Sequence, residues 1–203
     1  SLGIRNEPFM PSVRNAVHNT LTRSLLHKRW WINDPDCLLV RPDTNLSLAE
    51  VQTLTSAIAF SGGSLLVSDN LTELPEDRRR IIEVLLPLIG ERPRVIDLFD
   101  QASPGRLWLD LSGPMGSWHL LAYINWGDQP LSWKFDPQDY YLESKPYLLR
   151  SFWDGAIKII EPNEELPMPA LPPHGVCVIA LRERSTGKAH YAGSDLHIAQ
   201  GLE

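Results

Sequence analysis

The sequence predicts an α/β segment followed by an all-β segment. Helical and strand-like patterns alternate up to about residue 99, whereas only strand patterns and turns follow. Turn signals such as Asp154-Gly155 and Pro172-Pro173 separate several short strands in the second part, as is typical of a β-sandwich. We therefore divide the 203-residue chain into residues 1–99 and residues 100–203.

Three helices are predicted in the first segment, over residues 11–27, 47–61 and 75–86. Each carries apolar side chains at helical spacing. The second has the clearest ends, because Ser47 and Glu50 form a capping box and Gly62-Gly63 stop the helix. The third has proline in its first turn and is ended by Pro87.

Two short apolar runs, residues 29–33 and 64–68, are predicted to be strands of a parallel sheet, the second of them buried on both faces. Carboxylates follow both runs: Asp34 and Asp36 after the first, and Asp69 after the second. In a (β/α)8 barrel, this end of the strands holds the active site. Because a whole barrel needs about 250 residues, the segment is either a small open α/β unit or the last part of a barrel that begins upstream.

The second segment contains seven predicted strands, over residues 107–111, 118–126, 131–135, 147–153, 156–160, 176–182 and 188–192. A Gly-Asp-Gln-Pro turn follows the second of them, so the third is predicted to return as its hairpin partner. Residues 161–173 contain five prolines and are predicted to be an extended crossing segment.

Composition argues against several classes of partner. The net charge is −6 and no Lys/Arg cluster interleaves with aromatic residues, so we predict no nucleic-acid partner. No apolar run approaches the roughly 20 residues of a membrane span. The first residues show no signal-peptide pattern, and the compartment stays open.

The spacing of the cysteines and histidines indicates neither a metal site nor a disulfide. Cys37 and Cys177 lie far apart and are expected to be ordinary thiols. The six histidines form no His-x-His or His-Glu-x-x-His motif, so we predict neither a metal nor another cofactor.

One continuous motif carries a family resemblance. Residues Trp31–Arg41, with the run Asn-Asp-Pro-Asp-Cys at their centre, closely resemble a signature of the melibiase clan, glycoside hydrolase families 27 and 36. The resemblance continues in order through Leu48–Phe60 and Ser61–Leu71. Tyr123–Trp126 and His174–Arg182 are similar to the C-terminal β-domain of bacterial members, so the match covers nearly the whole chain.

The resemblance implies a (β/α)8 barrel, of which this chain forms the last part, followed by an antiparallel C-terminal β-sandwich. Family members are retaining glycosidases that use a nucleophile after the fourth strand and an acid/base after the sixth. Both are expected upstream of Ser1, so no catalytic residue is predicted in this chain. The implied substrate is a carbohydrate with a terminal α-galactoside; an α-N-acetylgalactosaminide or another α-glycoside is an alternative.

The spacing of Asp34 and Asp36 favours binding over catalysis. Retaining hydrolysis needs two carboxyl groups roughly 5 Å apart that flank the scissile bond. Two residues on one proline-stiffened turn cannot easily reach both faces of a sugar, but a carboxylate there accepts strong hydrogen bonds from hydroxyl groups. The resemblance implies that Asp36 lines the sugar pocket with Cys37 beside it.

The remaining candidates have mixed roles. Trp31 is a candidate to stack on a sugar face, although packing in a core is the alternative use of Trp30 or Trp31. Asn33, Asp34 and Asp69 are predicted to support the loop rather than contact sugar.

A second hypothesis assigns the chain a non-catalytic role. The all-β segment, with its tryptophans Trp108, Trp118, Trp126, Trp133 and Trp153, would then bind glycans or brace the barrel. Tryptophans in alternating strands are more often core than binding platform.

An incomplete barrel also leaves strand edges free to pair with another chain. We therefore expect a dimer through residues 29–33 and 64–68.

Overall fold

The computed structural model describes residues 12–185, 187 and 189–202. A group of helices packs on one face of a six-stranded antiparallel sheet, and a two-stranded antiparallel ribbon packs on the other. A separate two-stranded parallel sheet lies among the helices. The coarse prediction of helices first and sheets second is therefore confirmed. Within the described residues no helix is long and apolar enough to cross a membrane.

Three α-helices lie within the described residues: α1 (Val13–Thr22), α2 (Leu48–Ser61) and α3 (Glu76–Glu83). Short 3-10 helices occupy Ser24–Leu26 and Pro137–Tyr140. The predicted capping box of α2 is confirmed, since the Ser47 side chain accepts from the Glu50 backbone and the Glu50 carboxylate accepts from the Ser47 backbone. Gly62 ends α2 in the left-handed region with φ 67°.

The first and third helices are shorter than predicted. Helix α1 begins at Val13 and is capped by Ser12, whose side chain accepts from the backbone N–H of Asn15. Residue 11, where the predicted helix begins, lies outside the described residues. The α-helix ends at Thr22 and a 3-10 helix follows it. Leu25, which lies in this 3-10 helix, is 40% exposed. Leu86, predicted to face inward on the third helix, is 55% exposed because α3 has already ended.

The parallel sheet pairs β1 (Cys37–Leu38) with β2 (Leu66–Val67). The prediction of a strand over residues 29–33 is wrong. The chain there turns tightly, with Lys28 at φ 57° and its N–H donating to the carbonyl of Trp31. As a result, Asp34 and Asp36 precede the strand instead of following it.

The predicted burial of the second strand on both faces is also wrong. Leu66 is 48% exposed, since β2 has only β1 as a partner within the described residues.

The six-stranded sheet has the order β3-β4-β5-β10-β7-β8. Its strands are β3 (Arg94–Val95), β4 (Arg106–Gly113), β5 (Gly116–Ile124), β7 (Tyr147–Ser151), β8 (Ile157–Ile160) and β10 (Val176–Glu183). The ribbon pairs β6 (Leu131–Phe135) with β9 (Leu166–Leu171).

Three predictions for the second segment are corrected. Strand β6 does not return beside β5, because the buried Asn125 amide donates to the carbonyls of Gln129 and Pro172 and turns the chain away from the sheet. Strand β6 instead pairs with β9, which forms inside the segment predicted to be an extended crossing. Residues 189–192 form no strand, and Lys188 of that prediction lies outside the described residues.

Both faces of the six-stranded sheet are buried, and the alternation of side chains along each strand divides the core in two. In β10, Val176, Val178 and Ala180 pack with the helices, whereas Cys177, Ile179 and Leu181 pack with the ribbon. Of the five tryptophans considered as a glycan platform, Trp108 and Trp118 are 1% and 2% exposed and belong to these cores.

Candidate functional site

The loop before β1 is anchored through Asn33, which is only 4% exposed. Its side-chain amide donates to the Ser61 carbonyl (3.1 Å) at the end of α2, and its backbone N–H donates to Nδ1 of His27 (3.0 Å). Its carbonyl accepts from the backbone N–H of Ser64 (3.0 Å). Asn33 therefore joins the loop to His27, which lies shortly before it, and to the connection between α2 and β2.

Asp34 and Asp36 form a tight turn around Pro35. The Asp34 carboxylate accepts from the backbone N–H of Asp36 (3.0 Å), and the Asp36 carboxylate accepts from the N–H of Cys37 (2.7 Å). Asp36 adopts φ 71°, which is uncommon for a residue with a side chain. Both carboxylates are exposed, and neighbouring bonds within the turn hold them in place.

Two clefts meet at this turn. A cleft of about 500 Å³ is lined by Asp36, Cys37, Arg41 and Asp43 among others. A second cleft of about 400 Å³ contains Asp36 again, together with Trp31, Asp34 and side chains of α1. Asp36 is therefore the carboxylate that the two clefts share.

Trp31 and Cys37 stand on opposite sides of Asp36 in the sequence and line different clefts. The Trp31 indole is 43% exposed, and its N–H donates to the side-chain oxygen of Asn33 (3.1 Å). Cys37 is a half-buried free thiol at the start of β1. The loop thus supplies an aromatic face, a carboxylate and a thiol from seven consecutive residues.

Asp69 is placed differently from the other candidates. Its carboxylate is fully buried and accepts from the backbone N–H groups of Val40 (2.5 Å) and Arg41 (3.1 Å). The Arg41 guanidinium donates to its other oxygen (2.7 Å), and this bond raises the pKa of Arg41. Asp69 thereby ties the end of β2 to the segment after β1 and orients Arg41 at the first cleft.

Several lining residues were missed from the sequence. Arg41, Asp43, Thr44 and Asn45 line the first cleft, and Asn19, Thr20 and Arg23 line the second. The sequence did contain a signal for two of these residues. Asn19 and Arg23 are four residues apart, so they share one face of the helix predicted over residues 11–27. The described residues contain no group of three or more His, Cys, Asp or Glu side chains arranged to hold a metal ion.

We predict that Gly63→Ala strongly destabilises the fold. A Cβ at residue 63 would lie 2.0 Å from the Asn33 carbonyl oxygen, a contact that the backbone must relieve by moving. The expected loss is about 3 kcal/mol in the free energy of unfolding, measured by urea denaturation.

Gly155→Ala is the matched control for this change, since its added Cβ meets nothing within 4 Å. Its φ of +70° costs only about 1 kcal/mol. Equal stability of the two variants would contradict the close contact between Gly63 and Asn33.

We also predict that His27 makes stability depend on pH. Burial, together with Lys28 and Arg92, lowers the pKa of His27 below its usual 6.5. The unfolded chain therefore takes up this proton first, and stability falls as the pH drops below about 6.5. The protonated ring also loses the acceptor that binds the N–H of Asn33.

Thermal unfolding at pH 7.5 and 5.5 tests this dependence. The melting temperature of the unaltered chain should fall more over this interval than that of His27→Gln. The exposed His190 supplies the control, because His190→Gln should keep the full pH dependence. An unchanged slope in His27→Gln would exclude this role.

Comparison with known proteins addresses the fold. No protein-family model matches the chain. The structure is similar to α-galactosidase I from Mortierella vinacea (TM-score 0.65, 16% identity), covering 87% of this chain and 46% of that enzyme. It is similar to the α-galactosidase of Saccharomyces cerevisiae (TM-score 0.66, 14% identity), with 87% and 52% covered. A family 27 β-L-arabinopyranosidase from Geobacillus stearothermophilus, solved with arabinose, gives a TM-score of 0.66 at 12% identity, with 84% and 42% covered.

The chain thus spans about half the length of these enzymes. The described chain has the fold of the C-terminal portion of the glycoside hydrolase family 27 α-galactosidases and related enzymes.

Proposed function

We propose that this chain supplies the sugar-binding wall of a retaining α-galactosidase-like glycoside hydrolase that acts on terminal α-galactosides. The observation that carries the proposal is the position of Asp36, the one carboxylate common to both clefts, on a turn fixed by its own hydrogen bonds. A carboxylate held in this way can accept charge-assisted hydrogen bonds from sugar hydroxyls without first reorganising.

The neighbouring residues take roles that follow from their exposure. The half-exposed ring of Trp31 offers a face on which a sugar can stack, and Cys37 contributes to the wall of the first cleft. Asn33, Asp34 and Asp69 act as structural support, since their polar atoms bind backbone groups or the side chains of the wall.

The catalytic pair is proposed to lie outside this chain. Asp34 and Asp36 share one tight turn, which the bond from the Asp36 N–H to the Asp34 carboxylate closes. Retaining hydrolysis needs one carboxyl group on each side of the anomeric carbon. These two side chains are therefore suited to binding and not to double displacement.

The same proposal covers the architecture of the parent. We assign residues 1–99 to the last part of a (β/α)8 barrel and residues 100–203 to an antiparallel β-sandwich. The parallel pairing of β1 with β2 across α2 supports the first assignment, because it is a β-α-β unit. Packing of the ribbon on the six-stranded sheet supports the second; strand β3, at residues 94–95, already belongs to that sheet.

A bracing role for the β-segment is the second candidate function. The Trp153 indole N–H donates to the Ser56 hydroxyl (3.1 Å), and the Thr53 hydroxyl donates to the His174 carbonyl (2.6 Å). Both bonds join α2 to the sheet region. This role needs no ligand and is compatible with the sugar wall.

The sugar wall is tested by saturation-transfer NMR with methyl α-galactoside. We expect ligand signals from the unaltered chain and their loss in Asp36→Asn, which removes the charged acceptor. Asp154→Asn is the matched control, because Asp154 is exposed, its carboxylate also accepts from a backbone N–H of its own turn, and it lines neither cleft. Signals that persist in Asp36→Asn would exclude Asp36 as the sugar ligand.

Incompleteness of the catalytic site has a separate test. The purified chain should release no nitrophenol from a nitrophenyl α-galactoside. Release that is abolished by Asp36→Asn would show that this chain contains its own catalytic group.

Self-association remains a proposal. The outer edges of β1 and β2 have no strand partner within the described residues, and Trp30, Ile32 and Leu66 are 79%, 61% and 48% exposed beside them. Unpaired edges and exposed apolar side chains favour pairing with a second copy.

Light scattering should give the mass of a dimer for the unaltered chain and a lower average mass for Leu66→Lys. Phe99→Lys, which changes a 92% exposed side chain away from these strands, should leave the mass unchanged. A monomeric unaltered chain would contradict the proposal.

A further inference from the structure

A groove on the ribbon side of the six-stranded sheet has the composition of a second sugar-binding site. It consists of two adjoining clefts of about 370 Å³ and 530 Å³, both of which are lined by Arg106 and Asp139. We propose that this groove, here called the ribbon groove, binds a neutral oligosaccharide independently of Asp36. Its defining residues are Gln101, Arg106, Tyr123, Trp133, Asp139 and Tyr141.

Aromatic rings stand at both ends of the ribbon groove. In the smaller cleft, the rings of Tyr123 and Trp133 contact each other with centroids 4.8 Å apart and planes at 55°. The Trp133 indole N–H donates to the Pro169 carbonyl (3.2 Å), which fixes the orientation of this ring.

The larger cleft contains Tyr141, which is 91% exposed and adopts φ 57°. A bulky residue in the left-handed region is an outlier that the surrounding structure must enforce. Here the enforcing element is the 3-10 turn, since the Tyr141 N–H donates to the Gln138 carbonyl. The turn therefore presents a large apolar ring to solvent at the edge of a polar cleft.

A buried carboxylate organises the polar wall between these rings. Asp97 is fully buried and accepts from the backbone N–H groups of Gly105 (2.9 Å) and Arg106 (3.0 Å). It also accepts from the side-chain amide of Gln101 (2.6 Å), and the Arg106 guanidinium lies 3.9 Å from it. The Asp97 carboxylate thus positions both the Gln101 amide and the Arg106 guanidinium at the groove.

The cations that line the ribbon groove are paired with carboxylates, Arg94 with Asp110 among them. Arg106 is paired with Asp97 and Asp100, and Lys134 is paired with Glu165 at 2.6 Å. No uncompensated positive charge therefore remains on these cations to select a phosphate or a carboxylate. The wall supplies donors, from the Gln101 amide and the Arg106 guanidinium, and an acceptor, the Asp139 carboxylate.

A polyhydroxylated neutral ligand matches this combination. Sugar hydroxyls donate to carboxylates and accept from amide and guanidinium groups, whereas the apolar face of a sugar ring packs on an aromatic ring. Aromatic rings in two adjoining clefts provide room for more than one sugar unit. The ligand class that follows is an oligosaccharide or polysaccharide and not a monosaccharide.

Affinity electrophoresis tests the ribbon groove directly. The unaltered chain is run in native gels with and without soluble galactomannan, glucomannan or xylan, and its retardation gives the affinity. We expect retardation in at least one glycan gel and a roughly fivefold weaker affinity for Tyr141→Ala, because one stacking contact is lost. The Tyr141 ring is 91% exposed, so its removal should leave the fold intact by circular dichroism.

A second variant fills the groove instead of removing a ring. Ser132 is exposed and lines the smaller cleft, so Ser132→Trp should block a ligand and abolish retardation. Phe99→Ala is the matched control, since it removes another highly exposed ring that lines neither cleft of the groove. Its retardation should equal that of the unaltered chain.

The Asp36→Asn variant distinguishes binding in the ribbon groove from binding at the site proposed above. It should be retarded as strongly as the unaltered chain. Retardation that is lost in Asp36→Asn but kept in Tyr141→Ala and Ser132→Trp would overturn the ribbon groove and support the Asp36 site. Absence of retardation of the unaltered chain in every glycan gel would also overturn it, whatever the outcome of the methyl α-galactoside experiment.

Discussion

The buried amide of Asn33 is the contact on which the candidate site depends. It binds the end of α2 through its side chain and the start of β2 through its carbonyl, and its N–H is bound by His27. A buried polar group is stable only when its hydrogen bonds are made, so these partners fix one position of the loop. Gly63 allows the approach, because a side chain there would overlap the Asn33 carbonyl. The turn that carries Asp36 begins at the next residue.

Two buried carboxylates do the same job in different parts of the molecule. Asp69 accepts two consecutive backbone N–H groups and pairs with the arginine of the second residue, Arg41. Asp97 accepts the N–H groups of Gly105 and Arg106 and lies near the guanidinium of Arg106. In both cases a buried acid is satisfied by backbone donors and positions an arginine at a cleft. The cost of burying the charge is offset by several hydrogen bonds to it.

The six-stranded sheet connects these two regions. Its alternating side chains fill one core with the helices and another with the ribbon, so neither layer can shift without disturbing a close-packed interior. Direct hydrogen bonds from α2 to Trp153 and His174 reinforce the helical side. On the ribbon side, Phe135 and Tyr140 stack with centroids 5.3 Å apart, and Tyr140 stacks in turn on Trp108. Burial raises the pKa of Tyr140 strongly, as expected for a phenol within this core.

Local chemistry determined the features that the sequence alone predicted correctly. The capping box of Ser47 and Glu50 and the stop at Gly62 depend on residues within a few positions of each other, so they could be read directly. The short runs of strand-forming residues in β4, β5, β7, β8 and β10 likewise predicted strands, because strand propensity and the turn signals that bound each run are local. The motif around Asp36 was identified as a candidate site for the same reason, since its signal is continuous in the chain.

Only the tertiary structure decided which segments meet. Residues 29–33 consist of strand-forming residues, yet a tight turn at Lys28 excludes them from the sheet, and β1 forms later at Cys37. Strand β6 was expected beside β5, but the hydrogen bonds of Asn125 direct it to β9. The ribbon groove has no sequence signal, because its residues come from separate loops and strands. Pairing, register and grooves depend on contacts between distant residues, and local propensity does not encode them.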